Sequence, residues 1–246
     1  MKMMSPLSQF DVICIIPFWI GNNEISLTNL SLTVFFVLVI GAVFFRLLYT
    51  NYLIPRSWQI FLESIFIFVY RLVYQQLGKE GIMYFPFVFS LFTFILMLNL
   101  FSMLPYSFAV TSHFVWTLYF SLSICLGIFF LGILKHKIHF FKLFVLDVPL
   151  FLAPIMIILE ILSYIIRTFS LSIRLSANIL AGHTLVHIIA DFVVVMSNFK
   201  FLLVFLPFLL LLAIFILELG VACLQAYIFV TLMCMYLNDS IHLADH

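Results

Sequence analysis

Charge is what this sequence has least of. Only 9% of its 246 residues are Asp, Glu, Lys or Arg, while 66% are hydrophobic. A soluble domain of that length has too little interior to bury so much apolar surface, so the solvent is lipid. The 10 acids nearly cancel the 11 Lys and Arg, and a net charge of +1 excludes a nucleic-acid-binding surface. Cysteine is also scarce. Cys14, Cys125, Cys223 and Cys234 form no Cys-x-x-Cys pair, and three lie within apolar runs, so they read as small buried hydrophobes. Neither a cofactor nor a metal is expected. No targeting signal is expected either: the first 30 residues carry Asp11, Pro17 and Glu24 and no Ala-x-Ala-type cleavage site. A chain this apolar without an address is expected to be made beside its membrane, as in a bacterium or an organelle.

What is present is a series of long apolar runs that predicts one polytopic membrane domain over 1–246. Residues 25–45 carry no charge and close on Arg46, giving a first spanning helix at 29–48. In 55–77, Pro55 suits a helix start and Gly78 its end. Arg56, Gln59, Glu63, Tyr70 and Tyr74 recur on one side, which predicts an amphipathic helix lying in the interface. Gly81 to Leu134 holds no acid, Lys or Arg, and "MLPYSFAVTSH" at 103–113 breaks it into spans at 84–104 and 114–134. Lys135, Lys137 and Lys142 share a side with Arg46, Arg56, Arg71 and Lys79, so the uncharged 105–112 loop and the N-terminus face outward.

The last hundred residues predict two much longer helices, 148–190 and 201–238. Between Pro154 and Gly182 nothing breaks the helix, and apolar character continues to about Ala190. About 36 residues at about 1.5 Å each is about 54 Å, against a hydrocarbon core of about 30 Å. Such a helix inclines by about 55°, beyond the usual range, or it is two broken pieces. Pro207 and Gly220 offer similar kinks in the last segment. The fold class expected is therefore an all-α integral membrane protein of about six helices, one interfacial and amphipathic, the last two a long, strongly tilted hairpin.

Intramembrane charges cost several kcal/mol unless paired or hydrated, so each is a functional candidate. Glu160, Arg167 and Arg174 recur at intervals of seven and share a face. Around Arg174 that face carries Ser163, Ser170, Ala177, Asn178 and Ala181, small enough for another helix to approach closely. Ile166, Phe169, Ile173 and Leu180 lie opposite. An in-chain partner for Arg174 would be Glu218 across the hairpin; otherwise the carboxylate belongs to another chain. His183 and His187 are one turn apart, a spacing that suits a metal pair or a wet bundle-facing histidine. Gln225 follows Glu218 by one heptad on the same face. If the helices pair as a hairpin, Asn178, His183 and Glu218 lie toward the outer side, with Glu160 and Asp239 at the inner ends and Arg174 between. Two half-paths of exchangeable groups separated by a fixed cation fit a proton relay.

The segments "LSIRLSANILAGH" (171–183), "ELGVACLQAYIF" (218–229) and "YLND" (236–239) resemble the signature segments of the a subunit of F-type ATP synthases, especially mitochondrially encoded ones. "SPLSQFDV" and "MLPYSFAVTSHF" extend the resemblance over nearly the whole chain; it departs at Ser176, where the family more often has an aromatic. The resemblance implies a stator subunit with two offset half-channels. Asn178, His183 and Glu218 would serve the outer path and Glu160 and Asp239 the inner one. Arg174 would act on the carboxylates of a c-subunit ring, with Arg167, Gln225 and His187 supporting. It further implies peripheral-stalk and other membrane-sector subunits, lipids and dimerisation of the complex as partners, and no nucleic acid. The location implied is the mitochondrial inner membrane, with the bacterial inner membrane as the alternative.

Two other classes compete. A haem-carrying respiratory subunit would use His113, His183 and His187, but the last two, one turn apart on one helix, cannot clamp a haem from both faces. A stand-alone ion channel or carrier would need its own pathway; arginines at intervals of seven are not a voltage sensor's interval-of-three ladder, and no inverted repeat is visible.

Overall fold

The computed structural model describes residues 10–17, 19–20, 23–24, 26–48, 57–104, 107–137, 153–197 and 201–241. Pro55, Arg56, Lys142 and the expected helix start at 148 lie outside them, as does the side chain of Glu160.

Two short antiparallel ladders precede the helices. Strands β1 (Cys14–Ile16) and β4 (Leu27–Thr28) pair around β2 (Trp19–Ile20) and β3 (Asn23–Glu24). Ile13, Ile15 and Ile16 favour extended backbone, and Pro17 supplies no donor for a helix. These ladders add a little strand to a described structure that is mostly helical. The entry into helix α1 (Asn29–Leu48) is a reciprocal capping box: Ser31 N–H donates to Thr28 Oγ1 at 3.4 Å, and Thr28 N–H donates to Ser31 Oγ at 3.0 Å.

Helix α2 spans Ser57–Leu77 and buries Leu62, Val69, Leu72, Val73 and Leu77 along one stripe. It ends where Gly78 turns left-handed at φ +64° and its N–H reaches Tyr74 O at 3.1 Å, a conformation any Cβ would strain. Helices α3 (Phe85–Ser102) and α4 (Phe114–His136) follow, joined through a 3₁₀ turn at Val110–Ser112. Helix α5 runs Ala153–Ser197 and helix α6 runs Phe201–Ile241 with Pro207 inside it. Each is one continuous helix, which excludes the broken-piece alternative. Their 45 and 41 residues make them about 68 and about 62 Å long. Among the described residues all six of these helices, α2 included, are long and apolar enough to cross a membrane. An all-α membrane fold is what the apolar runs predict.

The chain divides into two compact units. One comprises Met1–Tyr49, Thr93–Phe114 and Leu175–Ala226, with Val37, Ile95, Leu98, Leu175, Ile179, Ala222 and Ala226 in its core. The other comprises Thr50–Phe92, Val115–Arg174 and Tyr227–His246, centred on Val69, Val73, Phe89, Cys125, Ile128, Phe229 and Cys234. In the second unit, aromatic rings join elements: Phe66 meets Phe85 edge-on at 4.9 Å, and Phe120 meets Phe229 at 6.0 Å. The end of α6 is fastened there too. Lys135 Nζ and His136 Nε2 of α4 reach the Ile241 carbonyl at 3.5 and 3.0 Å, and Lys135 pairs with Glu80 at 3.5 Å. Basic groups at a helix C-terminus answer its unsatisfied carbonyls and its dipole.

Candidate functional site

Helix α5 positions most of the candidates, and the way it packs decides which of them are free. Thr168, Leu171, Ser172, Leu175, Ser176 and Ile179 are buried, at spacings of three and four that mark one face. Half of that stripe carries hydroxyls. Within the second unit, Thr168 Oγ1 donates to Cys125 Sγ at 3.2 Å, and Ser172 and Thr117 share a 3.2 Å hydrogen bond. In hydrocarbon such bonds lock helices together while letting their backbones approach closely. Ser176, where the resembled family favours an aromatic, is thus a packing residue.

Arg167, Ser170, Arg174, Ala177 and Ala181 are all exposed, a third of a turn or more round from that stripe. Ile166, Phe169, Ile173 and Leu180 are exposed as well. The helix is therefore covered on roughly a third of its girth, and its arginine face is open. In the second unit, Ser163, Arg167, Ser170 and Arg174 line an open groove of about 520 Å³ together with Ile228, Thr231 and Leu232 of α6. Among the described residues neither Arg167 nor Arg174 forms an ion pair. Arg167 instead rests over the ring of buried Tyr236, Cζ lying 5.5 Å from the centroid. Asp239 is exposed in the last turn of α6, and Glu160 occupies its helical position on α5.

The first unit holds the other set. Asn178 donates from Nδ2 to Gln225 Oε1 at 3.2 Å, and Gln225 is 2% exposed. Glu218 is 5% exposed, and its carboxylate lies directly against the α5 backbone at Gly182, where any Cβ would collide with it. Glu218 Oε1, Gln225 Nε2 and His183 Nε2 are buried without a hydrogen-bond partner among the described residues. Orphaned polar atoms of this kind are where ordered water is held in a polar interior. No hydrogen bond joins His183 to Glu218 or Asn178; its ring stands edge-on to Phe10 at 6.4 Å. His187 Nδ1 faces Asp191 Oδ2 at 3.2 Å, an ion pair once the imidazole is protonated.

Three residues were not among the sequence candidates. Gly182 seats the Glu218 carboxylate, Asn99 donates to the Ala222 carbonyl at 3.2 Å while fully buried, and Asp191 meets His187. Asp191 had a signal, since it continues the His183–His187 register by one more turn. Asn99 had a weaker one, as the amide of an otherwise apolar stretch. Gly182 reads from sequence only as a break in helix propensity.

This arrangement offers a fixed cation on an open small-residue face and, separately, a buried carboxyl among amides. Comparison with known proteins bears on it directly. The family model described as "ATP synthase A chain" matches residues 30–238, which takes in every candidate except Asp239. The chain is similar to "ATP synthase subunit a" of Chondrus crispus, 46% identical over 243 residues, 96% of this chain and 95% of that protein. The "ATP synthase subunit a" of Marchantia polymorpha is 45% identical over 97% of this chain and 98% of its own length. That of Trichophyton rubrum is 41% identical over 98% of both. Matches of this extent, spanning the arginine face and the buried carboxyl alike, mean that the chain belongs to the ATP synthase A chain family.

Proposed function

We propose that the chain is the stator subunit that carries protons through the membrane sector of an ATP synthase, in the mitochondrial inner membrane. Its N-terminus lies on the outer side, α2 lies in the interface, and α5 and α6 incline to fit within lipid. Two offset half-channels meet a rotating ring of c subunits, each bearing a carboxylate. Protons enter from the outer side past Asn178, His183 and Glu218 and neutralise a ring carboxylate, which then turns into lipid. After nearly a full turn the site reaches the inner path near Glu160 and Asp239 and releases its proton. Arg174 favours the ionised carboxylate and blocks direct passage between the half-paths. Gln225 orients Asn178, while Arg167 and His187 support the inner and outer ends. Peripheral-stalk and other membrane-sector subunits hold the chain against the turning ring, lipids surround it, and the complex dimerises.

One observation supports this reading above the others. Arg174 stands on an exposed face of small residues with no ion pair among the described residues. An arginine in lipid needs an anion, and one that comes and goes leaves the guanidinium open in the isolated chain. The energy is adequate, since a charge crossing about 100 mV releases about 2.3 kcal/mol.

The test is ATP-driven proton pumping in sealed inner-membrane vesicles, comparing the parent with Arg174→Ala at matched assembly. Pumping is expected to vanish while passive proton leak is kept or raised. Normal pumping would make this arginine structural and end the proposal.

A further inference from the structure

The groove on α5 holds a second guanidinium, and the structure accounts for where it stands. An arginine with its stem in lipid ordinarily swings its head to the nearest polar layer. Arg167 does not have that freedom, because its Cζ lies 5.5 Å from the centroid of the Tyr236 ring. Tyr236 is itself fixed. It is 3% exposed, and its ring abuts Tyr164 at 5.6 Å. Tyr164 in turn donates its hydroxyl to the Cys125 carbonyl of α4 at 3.4 Å. The Tyr236 hydroxyl has no hydrogen-bond partner among the described residues. A buried phenol that leaves its hydroxyl unused and offers its face to a cation is placed for the ring.

We propose that Tyr236 is a positioning residue that holds the Arg167 guanidinium in the groove beside Arg174, so that an entering carboxylate meets two fixed cations rather than one. This rests on the proton-carrying role argued for Arg174. Arg174 lies two turns along α5 from Arg167, about 10.5 Å at helical rise. Among the described residues, the other titratable groups around the clamp are Tyr164 from α5, Tyr236 and Asp239 from α6, and Cys125 from α4. Among the described residues lining the groove the fixed cations are the two arginines, so losing Arg167 removes attraction for an ionised carboxylate. A proton would then leave only into a more alkaline compartment.

The experiment is ATP synthesis by the whole complex in proteoliposomes, driven by an acid-to-base transition with the release-side pH varied. Tyr236→Leu and Arg167→Gln should each move the half-maximal release-side pH upward by about half a unit. The double variant should move it no further than either single one, because both remove the same interaction. Tyr236→Phe keeps the ring face and should retain the parental profile. A Phe variant shifted as far as the Leu variant would make the hydroxyl the working group and overturn the proposal. A parental profile for Tyr236→Leu, or additive shifts, would do the same. Should the Leu variant fail to assemble, an unshifted Arg167→Gln is sufficient to refute the idea. Arg174→Ala runs alongside: if it still pumps, the wider reading fails, whereas an inactive Arg174→Ala with unshifted Tyr236→Leu removes this inference alone.

Discussion

A single methyl group at Gly182 tests whether the seat of Glu218 matters. Built on the backbone there, a Cβ would lie 2.7 Å from the Glu218 carboxylate carbon and 2.9 Å from its Cγ, and closer still to Oε1. Carbon atoms in good contact are about 3.5–4.0 Å apart, so the side chain or the helix must give by about 1 Å. Glu218 is 5% exposed and has little space to withdraw into. Overpacking of this kind costs about 1–3 kcal/mol. A reacting group displaced by about 1 Å slows its step by up to about a hundredfold. Gly182→Ala should therefore lower the melting temperature of the solubilised complex modestly and slow outer-side proton uptake strongly, measured as ATP-driven pumping at matched assembly. Gly182→Ala combined with Glu218→Ala removes the collision and should recover stability without recovering uptake. A Gly182→Ala variant with parental stability and parental pumping would refute the reasoning, since the carboxylate would then not depend on this seat.

Three further outcomes follow from the same geometry. Glu218→Gln keeps the shape against Gly182 but cannot exchange a proton, so pumping should slow with no loss of complex stability; unchanged pumping would count against the carboxyl. Gln225→Leu removes the acceptor of the Asn178 hydrogen bond and leaves that amide half-buried and unanswered, at a cost of about 1–3 kcal/mol. Thermal unfolding should show that loss, and Asn178→Leu added to it should cost less than the sum of the two. In the α3–α4 connection, burial lowers the His113 pKa below its ordinary 6.5, with its ring stacked on Phe108 at 5.2 Å. The unfolded chain therefore takes up the proton first as pH falls. The stability contributed by neutral His113 is present above pH 6.5 and is lost as pH falls toward and through the lowered value. Hydrogen exchange in this connection should quicken over that window, and His113→Phe should abolish the dependence.

The membrane class and the helical fold were legible because they depend on sums over many residues. A long uncharged apolar run such as 29–45 satisfies its backbone in lipid by closing its own hydrogen bonds as a helix. The arginine face was legible for a related reason: an interval of seven fixes a common side of a helix whatever the neighbours do. Contacts that depend on a distant partner were not. Seven residues put Gln225 on the Glu218 face, yet nothing in that spacing says that Gln225, rather than Glu218 or His183, would take the Asn178 amide. Sequence also assigned α5 two sides, small and large, when its packed side is a third. Thr168, Ser172 and Ser176 look like polar interruptions until their partners appear, because a hydroxyl's worth in lipid depends on the helix opposite. Burial of that stripe turns the arginines outward. With its hydroxyl side spent on in-chain packing, α5 can offer only its small-residue and apolar sides to anything else. An arginine that served in-chain stability would be expected on the packed side with a carboxylate opposite. Arg174 is on the open side instead, and among the described residues it forms no ion pair. An unpaired arginine in lipid costs stability, a cost that an anion supplied from outside the chain would offset.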